Sequence, residues 1–462
     1  RKNTPIEFGL PASPGGASGQ IVFTASDAEK WHKKNKQVLL VRHETSPEDV
    51  QGMHVSQGII TAKGGMTSHA ALVARGWGKA CIVGCSNLNI DLKRKTVKIN
   101  NTTYKEGAWL TINSTEGFVY DKKLNLVKSN FLNNQHFLRL MSLTKKFKKL
   151  NIRTNADNPE DAALSKKLGA QGIGLCRTEH MFFDTKRIRS VQKMILANSN
   201  QDKKNAIMEL LPYQKRDFYK ILKKVSPDPV TIRLLDPPLH EFLPSQKNTE
   251  LIDLLAQKMK VSSKEIKNRI IDLFEINPML GHRGCRLAIS FPEITEMQVE
   301  AIFKACYQLI KEGIKPNPEI MIPLVSTLGE FLNQKSVIEK IADKLNRKFK
   351  IKLKYKIGTM IELPRACLAA DQIAEQADFF SFGTNDLTQT TFGFSRDDIG
   401  SFIQDYFDNN ILREDPFKTI DQEGVGQLVK IAVKKAKKSK PKIKIGICGE
   451  HGGDPKSIYF FN

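Results

Sequence analysis

Residues able to carry a phosphoryl group, a proton or a metal ion recur at the edges of apolar runs in this sequence. His69 follows Lys63-Gly64-Gly65-Met66-Thr67-Ser68 and opens the run Ala70-Ala71-Leu72-Val73-Ala74. Gly64 and Gly65 let the backbone turn tightly and approach a ligand. Thr67 or Ser68 suits the cap of the helix that follows. A histidine in that helix's first turn lies beside free backbone N–H groups and the positive dipole end, which favour an anion. This placement suits a phosphoryl-carrying histidine. The plainer reading is a helix-packing histidine, but Ala70, Ala71 and Ala74 are too small to bury an imidazole well.

Arg177 closes Gly172-Ile173-Gly174-Leu175-Cys176, and Arg233 follows Ile232. A planar, permanently charged fork there can hold phosphate oxygens in pairs. Arg286, in Gly281-His282-Arg283-Gly284-Cys285-Arg286, is a weaker third candidate. Glu362 ends Gly358-Thr359-Met360-Ile361, and Asp386 ends Gly383-Thr384-Asn385. Two carboxylates at neighbouring strand ends suit Mg²⁺, which takes oxygen ligands and keeps several waters. Gly383, Thr384 and Asn385 can present polar groups to a small carboxylate. Cys448, between Gly446-Ile447 and Gly449, has room for a ligand beside it and can serve in proton transfer. A buried structural cysteine is the default for that residue type.

The elements that must position these residues fall in two blocks. In the first, turn residues from Gly9 lead into a strand ending at Phe23. Further strands are predicted at 37–42, 58–61, 81–83, 96–99 and 109–113, with helices near 47–51 and after His69. Residues 1–120 read as one compact mixed domain and 121–150 as a Lys-rich linker helix. From 151 to 462, apolar strands alternate with amphipathic helices, a parallel α/β pattern. The strand cores are 152–155, 172–176, 230–235, 319–325, 356–361, 379–383 and 444–448. Asp157, Arg177, Arg233, Glu362, Asn385, Asp386 and Cys448 cluster at their C-terminal ends, where a parallel barrel carries its site.

Composition narrows the classes. The 462 residues carry 72 Lys and Arg against 49 Asp and Glu, a net charge of +23. The lysines are spread along the chain, and neither 145–149 nor 434–440 carries a recognised nucleic-acid motif, so they read as solvated helix faces. No run approaches the roughly 18 apolar residues of a membrane span. Seven cysteines without a Cys-x-x-Cys argue against a disulfide framework or a zinc site. The sequence starts Arg-Lys-Asn-Thr-Pro, without an initiator Met or a signal-peptide pattern, and is expected to be a piece of something longer.

The run 63–84 resembles the phosphohistidine segment of the phosphoenolpyruvate-utilising enzymes, and Met66 and Ala74-Arg75-Gly76-Trp77-Gly78 resemble their dikinase branch. Segments 172–183, 232–242, 277–287, 358–366, 381–389 and 445–455 extend the resemblance to nearly the whole chain. It implies an α/β chain: a swivelling phosphohistidine β/α domain, then a (β/α)8-type barrel cut before its last strand. It implies a phosphotransferase interconverting pyruvate and phosphoenolpyruvate through phospho-His69. Mg²⁺ sits on Glu362 and Asp386, and Arg177 and Arg233 hold the phosphoryl group. Gly383, Thr384 and Asn385 help bind substrate, Cys448 exchanges a proton with the methyl carbon, and Thr67 is a regulatory phosphorylation site. In the complete enzymes a nucleotide-binding domain charges the histidine with ATP and phosphate, releasing AMP and diphosphate. No Gly-rich loop with its Lys stands here, so only the pyruvate half-reaction is expected. The branch that uses water in place of phosphate is the alternative. A cytoplasmic or organellar homodimer, without nucleic-acid or membrane partners, completes the expectation.

Overall fold

The computed structural model describes residues 4–65, 68–127, 134–182, 187–197, 199–246, 248–259, 261–275, 277–396 and 398–462, with side chains at all but 47, 69, 72 and 76. The chain divides into two compact units, Arg1–Phe131 and Leu132–Asn462.

The first unit is built on an eight-stranded mixed sheet. Its strands are β1 (Glu7–Phe8), β2 (Leu10–Ser13), β3 (Gly16–Val22), β4 (Val38–Arg42), β5 (Gly58–Thr61), β6 (Ala80–Val83), β10 (Trp109–Asn113) and β11 (Phe118–Tyr120). Strands β7 (Leu88–Asp91), β8 (Thr96–Ile99) and β9 (Thr102–Lys105) form a separate antiparallel sheet. The order of the large sheet is β1-β11-β10-β3-β4-β5-β6-β2, with β3 to β6 parallel. These central strands are covered on both faces, so they read as unbroken apolar runs. One face packs Val22, Val38, Leu40, Ile59 and Val83 against helices Ala25–Lys33, Val50–Val55 and His69–Gly76. The other packs Ile21, Leu39, Val41, Ile60 and Ile82 against Leu88, Ile90, Val97 and Ile99. The helix expected near 47–51 is a single 3-10 turn, Pro47–Asp49, followed by the α-helix Val50–Val55. Of the expected linker helix, residues 135–147 are helical and fall in the second unit.

In the second unit seven parallel strands pair strictly in chain order: β12 (Thr154–Asn155), β13 (Ile173–Arg177), β14 (Val230–Arg233), β15 (Pro318–Ile322), β16 (Lys356–Ile361), β17 (Phe379–Phe382) and β18 (Lys444–Ile447). Long helices such as Leu211–Val225, Pro292–Lys311, Leu328–Phe349 and Val425–Ser439 separate them. The sheet is a curled, barrel-like half. Alternation along each strand sorts its residues. Ile232, Ile320, Ile322, Ile357, Ile361, Phe380 and Phe382 pack against the helices in one large core. Leu175, Met321, Met360, Phe379 and Cys448 cluster separately on the inward face. Toward the strand starts, the same face carries Thr231, Glu319 and Lys444, joined by Arg153: Glu319 Oε2 accepts from Arg153 at 2.7 Å, Thr231 at 2.8 Å and Lys444 at 2.5 Å. The same parity delivers Arg177, Arg233, Glu362 and Cys448 inward at the strand ends.

Candidate active site

Most of the site side chains are placed by the ends of strands. Arg233 closes β14 and is 9% exposed. It pairs with Glu179, in the 3-10 turn after β13, and with Asp236 at 2.9 Å. Its Nε is buried without a partner, as is Oε2 of the neighbouring Glu179; buried polar groups are ordinarily paired, so the Nε is a donor left for a ligand. Arg177 closes β13; its backbone N–H donates to Asp157 at 2.6 Å, and its guanidinium lies 3.5 Å from the same carboxylate. About a third of its side chain stays exposed toward solvent.

The third arginine is Arg283, where the sequence had pointed to Arg286. Arg286 donates to the carbonyls of Leu280 and Gly281 at 2.9 and 3.0 Å. Arg283, immediately before the helix Gly284–Ser290, reaches Asp236 at 2.6 Å and Asp386 at 3.1 Å. Gly284 at φ +57° makes the turn, and its N–H donates to the carbonyl of Asp236 at 2.8 Å. A Cβ there would stand 2.7 Å from the Cβ of Leu324. Burial would raise the Asp236 carboxyl, but Arg233 and Arg283 override it and hold the group ionised below its ordinary range. Glu179, Asp236 and Arg283 were not singled out from the sequence. The signal lay in their spacing: each acid follows a strand-end arginine by two or three residues, and Arg283 abuts a glycine in the left-handed region.

Glu362, directly after β16, is 1% exposed. Leu324 donates its backbone N–H to Glu362 Oε1 at 2.7 Å from a left-handed conformation (φ +58°) that is costly for leucine. Burial first, then the facing carboxylates Asp386 and Asp236, push the Glu362 carboxyl well above its ordinary range. A divalent cation would relieve that crowding. Two hard carboxylates, with substrate and water oxygens completing the shell, are an ordinary complement for Mg²⁺, so the residues fit the ion. Among the described residues no three His, Cys, Asp or Glu are grouped to hold a metal by themselves. Gly383 is needed beside this carboxylate, since a Cβ would meet Glu362 Oε2 at 2.8 Å.

Cys448 follows β18, its thiol 3.5 Å from the carbonyl of Phe382 and among Met321, Met360 and Phe379. Burial pushes the thiol up to about 11, so it keeps its proton at neutral pH. Thr384 and Asn385 open the helix Thr384–Phe392, with Asp386 in its first turn. The strand ends thus bring Arg177, Arg233, Glu362, Asp386 and Cys448 into one layer, which Arg283 joins from the turn before its helix.

In the first unit, His69 opens its helix as expected and Ser68 is the N-cap residue, but the Ser68 hydroxyl makes no capping bond and is buried without a partner. Ala70, Ala71 and Ala74 are buried. Thr67 and the His69 side chain lie outside the described residues.

A histidine-bearing mixed β/α unit and a parallel strand-end site of arginines, carboxylates and a protonated thiol define a class. The chain belongs to the PEP-utilising enzymes: the family's mobile domain matches residues 34–117 and its PEP-binding domain matches residues 133–462. More particularly, it is similar to pyruvate, phosphate dikinase 1, chloroplastic, of Arabidopsis thaliana, 53% identical over 456 residues, which are 99% of this chain and 47% of that protein. It is 52% identical over 461 residues to pyruvate, phosphate dikinase 2 of Zea mays, covering 100% of this chain and 52% of the relative. The chain therefore spans about half the length of the curated relatives it matches. Among the described residues no helix is long and apolar enough to cross a membrane.

Proposed function

We propose that this chain carries the pyruvate half of a pyruvate, phosphate dikinase reaction. The observation that carries the reading is the inward layer at the strand ends: an arginine with a free buried Nε, two further arginines, paired carboxylates and a neutral thiol. Phosphoenolpyruvate binds with its phosphoryl group against Arg177 and Arg233 and its carboxylate near Gly383, Thr384 and Asn385. Its P–O bond breaks as a P–N bond forms to His69, leaving the electron pair on the enol oxygen. Carbon 3 then takes the proton of the Cys448 thiol, and pyruvate results; the reverse runs through the same groups. Rigid arginine forks match the charge spread over the transferring oxygens, so positioning and electrostatics supply most of the acceleration. Bound at Glu362 and Asp386, Mg²⁺ would supply a hard Lewis acid toward substrate oxygens.

Charging His69 with ATP and phosphate is a reaction this reading does not assign to the chain. The names of the relatives favour phosphate over water in that step. A homodimer in the cytoplasm or an organelle, and control at Thr67, belong to the same reading.

The test is labelling with phosphoenolpyruvate radioactive at phosphorus, with Mg²⁺, on the chain and on His69→Ala. Acid-labile label on the parent alone is expected. Label on both, or on neither, would overturn the assignment.

A further inference from the structure

Beyond the strand-end groups, one buried histidine locks the thiol-bearing turn to the carboxylate-binding loop. His451 lies three residues after Cys448, in the 3-10 turn Glu450–Gly453, and is fully buried. Its Nε2 is 2.8 Å from the carbonyl of Pro416 and its Nδ1 is 2.7 Å from Thr384 Oγ1. A carbonyl only accepts, so Nε2 carries the hydrogen. Burial disfavours a second proton, so Nδ1 is bare and accepts from the Thr384 hydroxyl. The hydroxyl's one hydrogen is thereby committed to the ring.

The surroundings make this contact a close fit. A Cβ on Gly449 would collide with Thr384 Oγ1 and stand 2.9 Å from the Thr384 nitrogen. Glu450 N–H donates to Asn385 Oδ1 at 3.2 Å, and Cys448 N–H to the carbonyl of Phe382 at 3.1 Å. The segment Cys448–His451 is thus fastened to Phe382–Asn385 at three successive points, and His451 is the one that extends the fastening to Pro416.

We propose that His451, as its Nδ1-bare tautomer, is the positioning residue that sets the Cys448 thiol against the substrate's methylene carbon by anchoring its turn on Thr384. The inference rests on the reading of the site as a pyruvate–phosphoenolpyruvate centre. Losing the Nδ1 acceptor frees the turn, so the proton-transfer rate falls while phosphoenolpyruvate still binds through the arginines.

The two ring nitrogens can be replaced separately. In His451→Asn the amide oxygen stands near the Nδ1 position and keeps an acceptor for Thr384. In His451→Gln the amide N–H reaches Pro416 and the Thr384 acceptor is lost. Single-turnover pyruvate formation from phosphoenolpyruvate, its half-saturating concentration and the melting temperature are measured on the parent and both variants. The expected result is a fall of about tenfold or more for Gln, with half-saturation moving less than about threefold and Asn staying within about threefold of the parent. A parent-like rate in Gln overturns the proposal, as does an equal fall in Asn and Gln in step with their melting temperatures. If Gln does not fold, Thr384→Val, which removes only the hydroxyl donor, replaces it with the same expectation, and a parent-like rate there overturns the proposal. A parent that neither forms pyruvate nor takes label overturns the reading of the site, and this inference with it.

Discussion

Arg283 bridges Asp236 and Asp386, two carboxylates that also face Glu362. A lysine keeps the charge but not the fork that spans both acids. Arg283→Lys is expected to slow pyruvate formation about a hundredfold, the scale of a misplacement near 1 Å. Arg283→Met, which leaves buried acids without their cation, should cost about 3–5 kcal/mol in urea unfolding. Unchanged stability in Met would mean that Arg233 alone compensates the acids. The thiol gives a second residue-scale expectation. Cys448 acts in its protonated form when phosphoenolpyruvate is consumed, and its folded value of about 11 lies above the ordinary thiol range. Pyruvate formation should therefore not fall with thiol ionisation between pH 8 and 10, values near the ordinary cysteine titration. A decline centred on ordinary cysteine values would place the thiol in a solvated, lower setting than the one described. Arg233 and Cys448 were legible because each ends a strand; Arg283 was not, because it arrives from a turn 47 positions after its partner Asp236.

At the scale of elements, the inward face of the curled sheet has a charged lower layer, an apolar middle and a reactive upper layer. The lower layer turns on Glu319, whose side chain is fully buried. Burial would raise its carboxyl, but Arg153 and Lys444 override that and lower it to about 2 from an unfolded value near 4.5. The unfolded chain then binds more protons between these values, so this group's stabilisation is complete above about pH 4.5 and is lost as pH falls toward 2. It amounts to about 3 kcal/mol at most. Melting temperature in the parent should drop across that window, and Glu319→Gln should remove this part of the slope while being less stable at pH 7. An unchanged slope would assign the acid sensitivity to other carboxylates. All seven strands of this sheet could be read from the sequence because apolar runs between helices have few alternatives. Their starts were less secure: β12 has only Thr154 and Asn155, and the expected Ile152 is 57% exposed. The small sheet of β7 to β9 was read only at β8, because β9 is mostly exposed polar chain with no buried residue to mark it.

At the scale of the whole chain, the proposed reaction divides its groups between two units with separate cores, His69 in one and the strand-end site in the other. Residues 121–127 are mostly exposed and without regular structure, although Thr111 holds the start of the segment through Lys122 and Leu124 at 2.7 and 3.0 Å. If the connection serves as a tether, joining the units changes a second-order encounter into one at an effective concentration of about a millimolar. Residues 1–131 and 132–462 prepared as separate chains, each first shown to melt cooperatively, should still label His69 from phosphoenolpyruvate, at a rate proportional to concentration. Near 1 µM the joined chain should be faster by about a thousandfold and independent of dilution. A joined chain whose rate falls on dilution would mean that the phosphoryl group passes between copies, the histidine of one molecule being served by the strand-end site of another. Equal rates for joined and separate units would mean that phosphoryl transfer at the strand-end site, rather than the encounter, limits labelling, and slowing of the label in Arg283→Lys should then appear undiminished in both formats.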